Sequence, residues 1–84
     1  MQTATEIWVS AMARRTQLPP PPVRRALRIA AGLTQDEIAA LLEDEDPVNR
    51  ATVSRWERGT REPRGRRRLK YAELLNSLMG RRDV

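Results

Sequence analysis

Gly32-Leu33-Thr34-Gln35-Asp36-Glu37-Ile38-Ala39-Ala40-Leu41-Leu42 and Asn49-Arg50-Ala51-Thr52-Val53-Ser54-Arg55-Trp56-Glu57-Arg58-Gly59 form the centre of the chain, and each reads as a short capped helix. In the first, Thr34 stands three residues before Glu37. At that spacing a hydroxyl and a carboxylate each satisfy an otherwise unpaired backbone N–H. Ile38, Leu41 and Leu42 then make an inward face on a helix ending at 42. In the second, Asn49 is a good N-cap for a helix over about 50–58, and Val48 occupies the staple position before it. Val53 and Trp56 face inward, and Gly59 supplies the stop. Between the two helices, Glu43-Asp44-Glu45-Asp46-Pro47 is a loop by charge and by proline.

Three further helices flank this pair. Upstream, Pro19-Pro20-Pro21-Pro22 cannot be helix interior and reads as a stiff polyproline II spacer. Pro22 fits the first position of a helix over about 22–31, where its missing N–H costs nothing. Val23, Ala26, Leu27 and Ala30 are its apolar stripe, and Gly32 ends it. Before the spacer, Thr3 and Glu6 have capping-box spacing, and Ala4, Ile7, Trp8 and Ala11 share one face of a helix over about 4–14. Downstream, Thr60 to Gly65 is a turn around Pro63. A last helix over about 66–79 carries Tyr71, Leu74, Leu75 and Leu78 on one face, as core or dimer surface. No stretch shows sustained β-type alternation. The expected fold is all-α, a compact bundle of about five helices. Its divisions are an N-terminal extension (1–18), a proline spacer (19–22), a domain over 23–79 and a tail (80–84).

Composition narrows the chemistry. A chain of 84 residues holds one small domain and leaves little room for a deep substrate cavity. There is no Cys and no His, which excludes disulfide frameworks, zinc fingers and Cys- or His-based nucleophiles. Without a Gly-rich phosphate loop or an obvious buried carboxylate pair, an enzyme is the least favoured class, and no cofactor or metal is expected. No apolar run reaches the roughly 20 residues a membrane span needs, so no membrane partner is expected, and without disulfides a reducing cytoplasm is the expected location. The net charge of +5 is unevenly spread. Residues 50–70 hold nine basic side chains against Glu57 and Glu62, a local net of +7, whereas residues 36–46 hold six acids and no base. This polarity points to a polyanion partner for one half of the chain.

The blocks Leu27-Arg28, Ala31-Gly32-Leu33-Thr34-Gln35-Asp36-Glu37-Ile38-Ala39 and Thr52-Val53-Ser54-Arg55-Trp56-Glu57-Arg58-Gly59, in that order, resemble the Cro/Xre (lambda-repressor-like) helix-turn-helix family over about residues 23–79. The resemblance implies that helix 34–42 crosses the DNA backbone and helix 50–58 enters the major groove. It implies a phosphate contact for Gln35 and N-terminal contacts for Asn49 and Arg50. Ala51 and Arg55 match base-edge positions, Arg61 and Arg64 match backbone or minor-groove contacts, and Thr52 and Arg58 complete the set. Arg28 and Glu57 match a pair that bridges the first core helix to the end of the recognition helix. Implied partners are double-stranded DNA and a second copy of the chain. The implied role is a sequence-specific transcriptional regulator of repressor or Cro type, from phage or bacterium, with an antitoxin autoregulator or excision factor as alternatives. Trp56 shares the inward face with Val53 and is read as core rather than as a base-stacking residue.

The chain departs from the family pattern in three places. The turn between the two motif helices is normally very short, whereas here Glu43 to Pro47 intervene. That loop is expected to be solvated; the sharper readings are contact with a protein partner or cover for the basic segment. Arg66-Arg67-Arg68 opens the last helix, where cations oppose the helix dipole, which favours phosphate contact for Arg66 and Arg67. The N-terminal helix, with Ile7, Trp8 and Met12, is absent from the family core and is expected to pack on the domain or dimerise, with partner docking the alternative. A protein-interaction adaptor using the acidic loop and the Ile7/Trp8 face is the reading from another class.

Overall fold

A computed structural model of the chain describes residues 3–8, 16–44 and 47–80. Among the described residues there are five helical segments and no strand: α1 (4–8), α2 (Pro21–Ala30), α3 (Gln35–Leu42), α4 (Arg50–Arg58) and α5 (Gly65–Met79). The start of α1 follows its cap, since the Glu6 N–H donates to the Thr3 hydroxyl at 3.2 Å. Ile7 and Trp8 are 52% and 62% exposed, so these two side chains do not pack on the domain. Ala11 and Met12 lie outside the described residues.

The expected caps form. Thr34 accepts from the Glu37 N–H at 3.0 Å while its own N–H donates to the Glu37 carboxylate at 2.8 Å, a complete capping box. Asn49 accepts from the Thr52 N–H at 2.9 Å, and Gly59 ends α4 at φ +75°. A Cβ at Gly59 would also come within 3.0 Å of Pro21 Cγ, so a glycine lets the end of α4 abut the start of α2. Helix α2 begins one residue earlier than the Pro22 expectation. Pro20 is already in polyproline II geometry (φ −56°, ψ 150°), which leaves Pro21, with no N–H to satisfy, as the first helical residue.

Two faces differ from their sequence expectation. On α3 the buried side chains are Ile38, Ala39 and Leu42, whereas Leu41 is 56% exposed. At about 100° per residue the buried arc is centred between Ile38 and Ala39, and Leu41 falls outside it. On α2 the stripe Val23, Ala26 and Ala30 is exposed, and the only fully buried residue of the helix is Arg24. The helix meets the domain through the adjoining face, Arg24, Leu27, Arg28 and Ala31. The exposed stripe joins Leu78 in an open apolar groove of about 680 Å³.

The core lies between α3, α4 and α5. Ile38, Leu42, Val48, Val53, Trp56, Tyr71, Leu75 and Leu78 form one buried cluster, with Leu18, Leu27, Leu33 and Leu74 packed against it. Trp56 and Tyr71 meet with ring centroids 4.8 Å apart and planes tilted by 40°. Both Trp56 and the stripe of the last helix are therefore core.

Candidate nucleic-acid interface

Two arginines of α2 fix the C-terminal end of α4. Arg28 donates from Nε and Nη2 to the two oxygens of Glu57, at 2.6 and 3.0 Å, and from Nη1 to the Leu33 carbonyl at 2.9 Å. The pair is enclosed, with side chains 12% and 3% exposed. The hydrogen bonds that Arg28 donates to Glu57 hold its guanidinium pKa above the ordinary value, outweighing the opposing effect of burial. Gln35, the first residue of α3, donates from Nε2 to the same carboxylate at 3.1 Å. Three helices thus converge on Glu57.

Arg24 supplies a second attachment. Its Nη1 donates to the Trp56 carbonyl at 2.9 Å, its Nε to the Pro19 carbonyl at 2.7 Å, and its guanidinium takes Glu62 in a bidentate pair at 2.9 and 3.1 Å. Sequence reasoning missed this residue. Its signal was faint: Arg24 and Arg28 are four apart and share a helix face, but the carboxylates that allow their burial lie far along the chain.

With its inner face held by Val53, Trp56 and Glu57, α4 turns the opposite face to solvent. Arg50, Ala51, Arg55 and Arg58 are exposed and Thr52 is half-buried. Asn49 Oδ1 is taken up by capping, receiving both the N–H and the hydroxyl of Thr52 at 2.9 and 3.1 Å. Arg58 donates from Nε to the Ser54 carbonyl at 3.4 Å. Beside α4, the turn after Gly59 and the start of α5 enclose a groove of about 740 Å³. It brings Thr52 and Arg55 together with Arg61, Arg64, Arg66, Arg67 and Lys70, with Asp44 and Glu62 as its acids. Gln35, Asn49, Arg50, Ala51 and Arg58 do not line it. Lys70 and Asp44 are groove residues to which the sequence alone gave no individual role. Lys70 falls one turn after Arg66 on α5, a spacing that could have found it.

The arrangement offers an exposed helix with small and basic side chains at its N-terminal end, flanked by a basic groove. Such a helix has the width and chemistry for the roughly 12 Å major groove of B-DNA, and clustered guanidinium groups suit phosphate. Among the described residues, no helix is long and apolar enough to cross a membrane. No curated protein and no solved structure matches the chain at a significant level. A family model described as helix-turn-helix does match, over residues 25–78 and so more than half of the chain, which belongs to the Cro/C1-type helix-turn-helix family of DNA-binding domains.

Proposed function

We propose that the protein is a sequence-specific transcriptional regulator of repressor or Cro type, acting by occupying its operator. In this reading α4 lies in the major groove and α3 crosses the backbone. Arg50 and Arg55 face guanine edges, where each bidentate contact discriminates by about 1–3 kcal/mol, and Ala51 offers its methyl group to thymine. Gln35 uses one amide N–H on Glu57 and has a second for a phosphate at the N-terminus of α3. Arg61, Arg64 and Arg66 contact the backbone. The observation that carries the proposal is the continuity between the exposed basic face of α4 and the basic groove beside it. Binding as a homodimer would set two recognition helices about 34 Å apart on a two-fold operator.

The test is binding to duplex DNA at two salt concentrations. With three phosphate-binding arginines per protomer in a dimer, affinity should fall by roughly a thousandfold between 50 and 200 mM salt. Arg61→Ala or Arg64→Ala should flatten that dependence by about one unit of log–log slope for each phosphate no longer neutralised. An absence of duplex binding at low salt would overturn the proposal.

A further inference from the structure

Asp44, two residues after α3, does not simply extend into solvent. Asp44 Oδ2 lies 3.3 Å from Arg66 Nη1 and 3.8 Å from Lys70 Nζ. Arg66 and Lys70 are one turn apart on α5, so both cations converge on a single carboxylate oxygen. All three line the groove that also holds Arg55, Arg61 and Arg64. A carboxylate oxygen shared by a guanidinium and an ammonium group occupies the position that a phosphate oxygen would take on the same two donors.

We infer that Asp44 is an intramolecular substitute for a DNA phosphate, occupying Arg66 and Lys70 until duplex displaces it. Contact between these two cations and the backbone then requires their release from Asp44. Asp44 thereby weakens the part of binding that is common to every sequence, while the base-facing residues of α4 are untouched. The inference rests on the proposed DNA binding and adds a residue that sets its strength. It also gives the acidic insertion a place in the site, since Asp44 precedes the two acids that extend the loop.

Fluorescence anisotropy with a random-sequence duplex tests it, comparing the wild-type chain with Asp44→Asn and with Glu43→Gln. Glu43 is exposed and, among the described residues, forms no ion pair with Arg66 or Lys70, so the second variant removes the same charge without removing the bridge. Asp44→Asn should tighten binding about two- to fivefold, the range expected for breaking exposed ion pairs. Glu43→Gln should give a smaller gain. In an Arg66→Gln/Lys70→Gln background the Asp44→Asn gain should vanish. Equal gains from the two acid variants, or a gain that persists in the Arg66/Lys70 background, would reduce Asp44 to a general charge effect and overturn the inference. Wild-type binding with no gain from Asp44→Asn overturns the inference alone. Failure of every form to bind duplex overturns the DNA-binding proposal and this inference with it.

Discussion

Tyr71 shows how burial of one side chain becomes a measurable property of the domain. It is 1% exposed against Trp56, and its phenol is pushed up to about 12, first by burial and then by the negative charge of Glu57. The folded value therefore lies above the unfolded value of about 10, and the stabilisation is complete below pH 10 and lost as pH rises through 12. A shift of this size corresponds to a loss on the order of 2–3 kcal/mol. Because Tyr71 is the only tyrosine, tyrosinate absorbance reports it directly. Thermal melts should be flat to about pH 9.5 and fall between about pH 10 and 12, with a smaller fall in Tyr71→Phe. A phenol titrating near its ordinary value in the folded domain would contradict this. At this level the inward positions of Val53, Trp56, Tyr71, Leu75 and Leu78 were legible from helical spacing alone. Arg24 was not, because a buried cation is tolerated only through Glu62 and two carbonyls, and spacing along one helix carries no information about those partners.

Among the helices, α4 is held in place by charge as well as by its apolar face. The Arg28–Glu57 pair and the Gln35 amide tie α2 and α3 to its last turn. Removing one partner of an enclosed pair leaves the other uncompensated, so Glu57→Ala should destabilise the domain by about 3–5 kcal/mol. In a domain of this size that lowers the melting midpoint by more than about 10 °C. Replacing both residues by apolar ones, as in Arg28→Met/Glu57→Leu, should recover most of the loss. A single variant that melts within about 2 °C of wild type would show the pair to be energetically idle. The ends of α3 and α4 were legible because Thr34, Asn49 and Gly59 act locally. The faces of α2 and α3 were harder. Apolar spacing nominated Val23, Ala26 and Ala30 on α2 and Leu41 on α3, whereas the buried faces are set by long-range arginine–carboxylate pairing and by the width of the arc α3 presents.

For the molecule taken together, a net charge of +5 understates the asymmetry. Of the basic residues of 50–70, Arg50, Arg55 and Arg58 lie on α4, and Arg61, Arg64, Arg66, Arg67 and Lys70 line the groove beside it, where Asp44 pairs with Arg66 and Lys70. Elsewhere, the α2 stripe and Leu78 leave an apolar groove open. Exposed apolar surface of this kind suits association, and the two-fold operator proposed above would call for a paired protein, so the groove is proposed as the contact between copies. Sedimentation equilibrium should report a dimer for the wild-type chain and a monomer for Ala26→Glu, with helicity unchanged. A wild-type chain that stays monomeric both free and on DNA would exclude the dimer. The distribution of charge was legible from the chain, but its convergence on one groove required the turn at 60–64 to bring the start of α5 alongside α4.

Everything proposed for DNA recognition depends on α4 reading base edges through Arg50 and Arg55. Selection of binding sites from a random duplex pool, run with wild type, Arg50→Ala and Arg55→Ala, measures that dependence position by position. Wild type should enrich a two-fold symmetric sequence containing guanines, and each variant should relax preference at its own position at a cost of about 1–3 kcal/mol. Enrichment of no sequence by wild type, or of the same sequence with equal stringency by all three proteins, would show that these arginines do not read the operator.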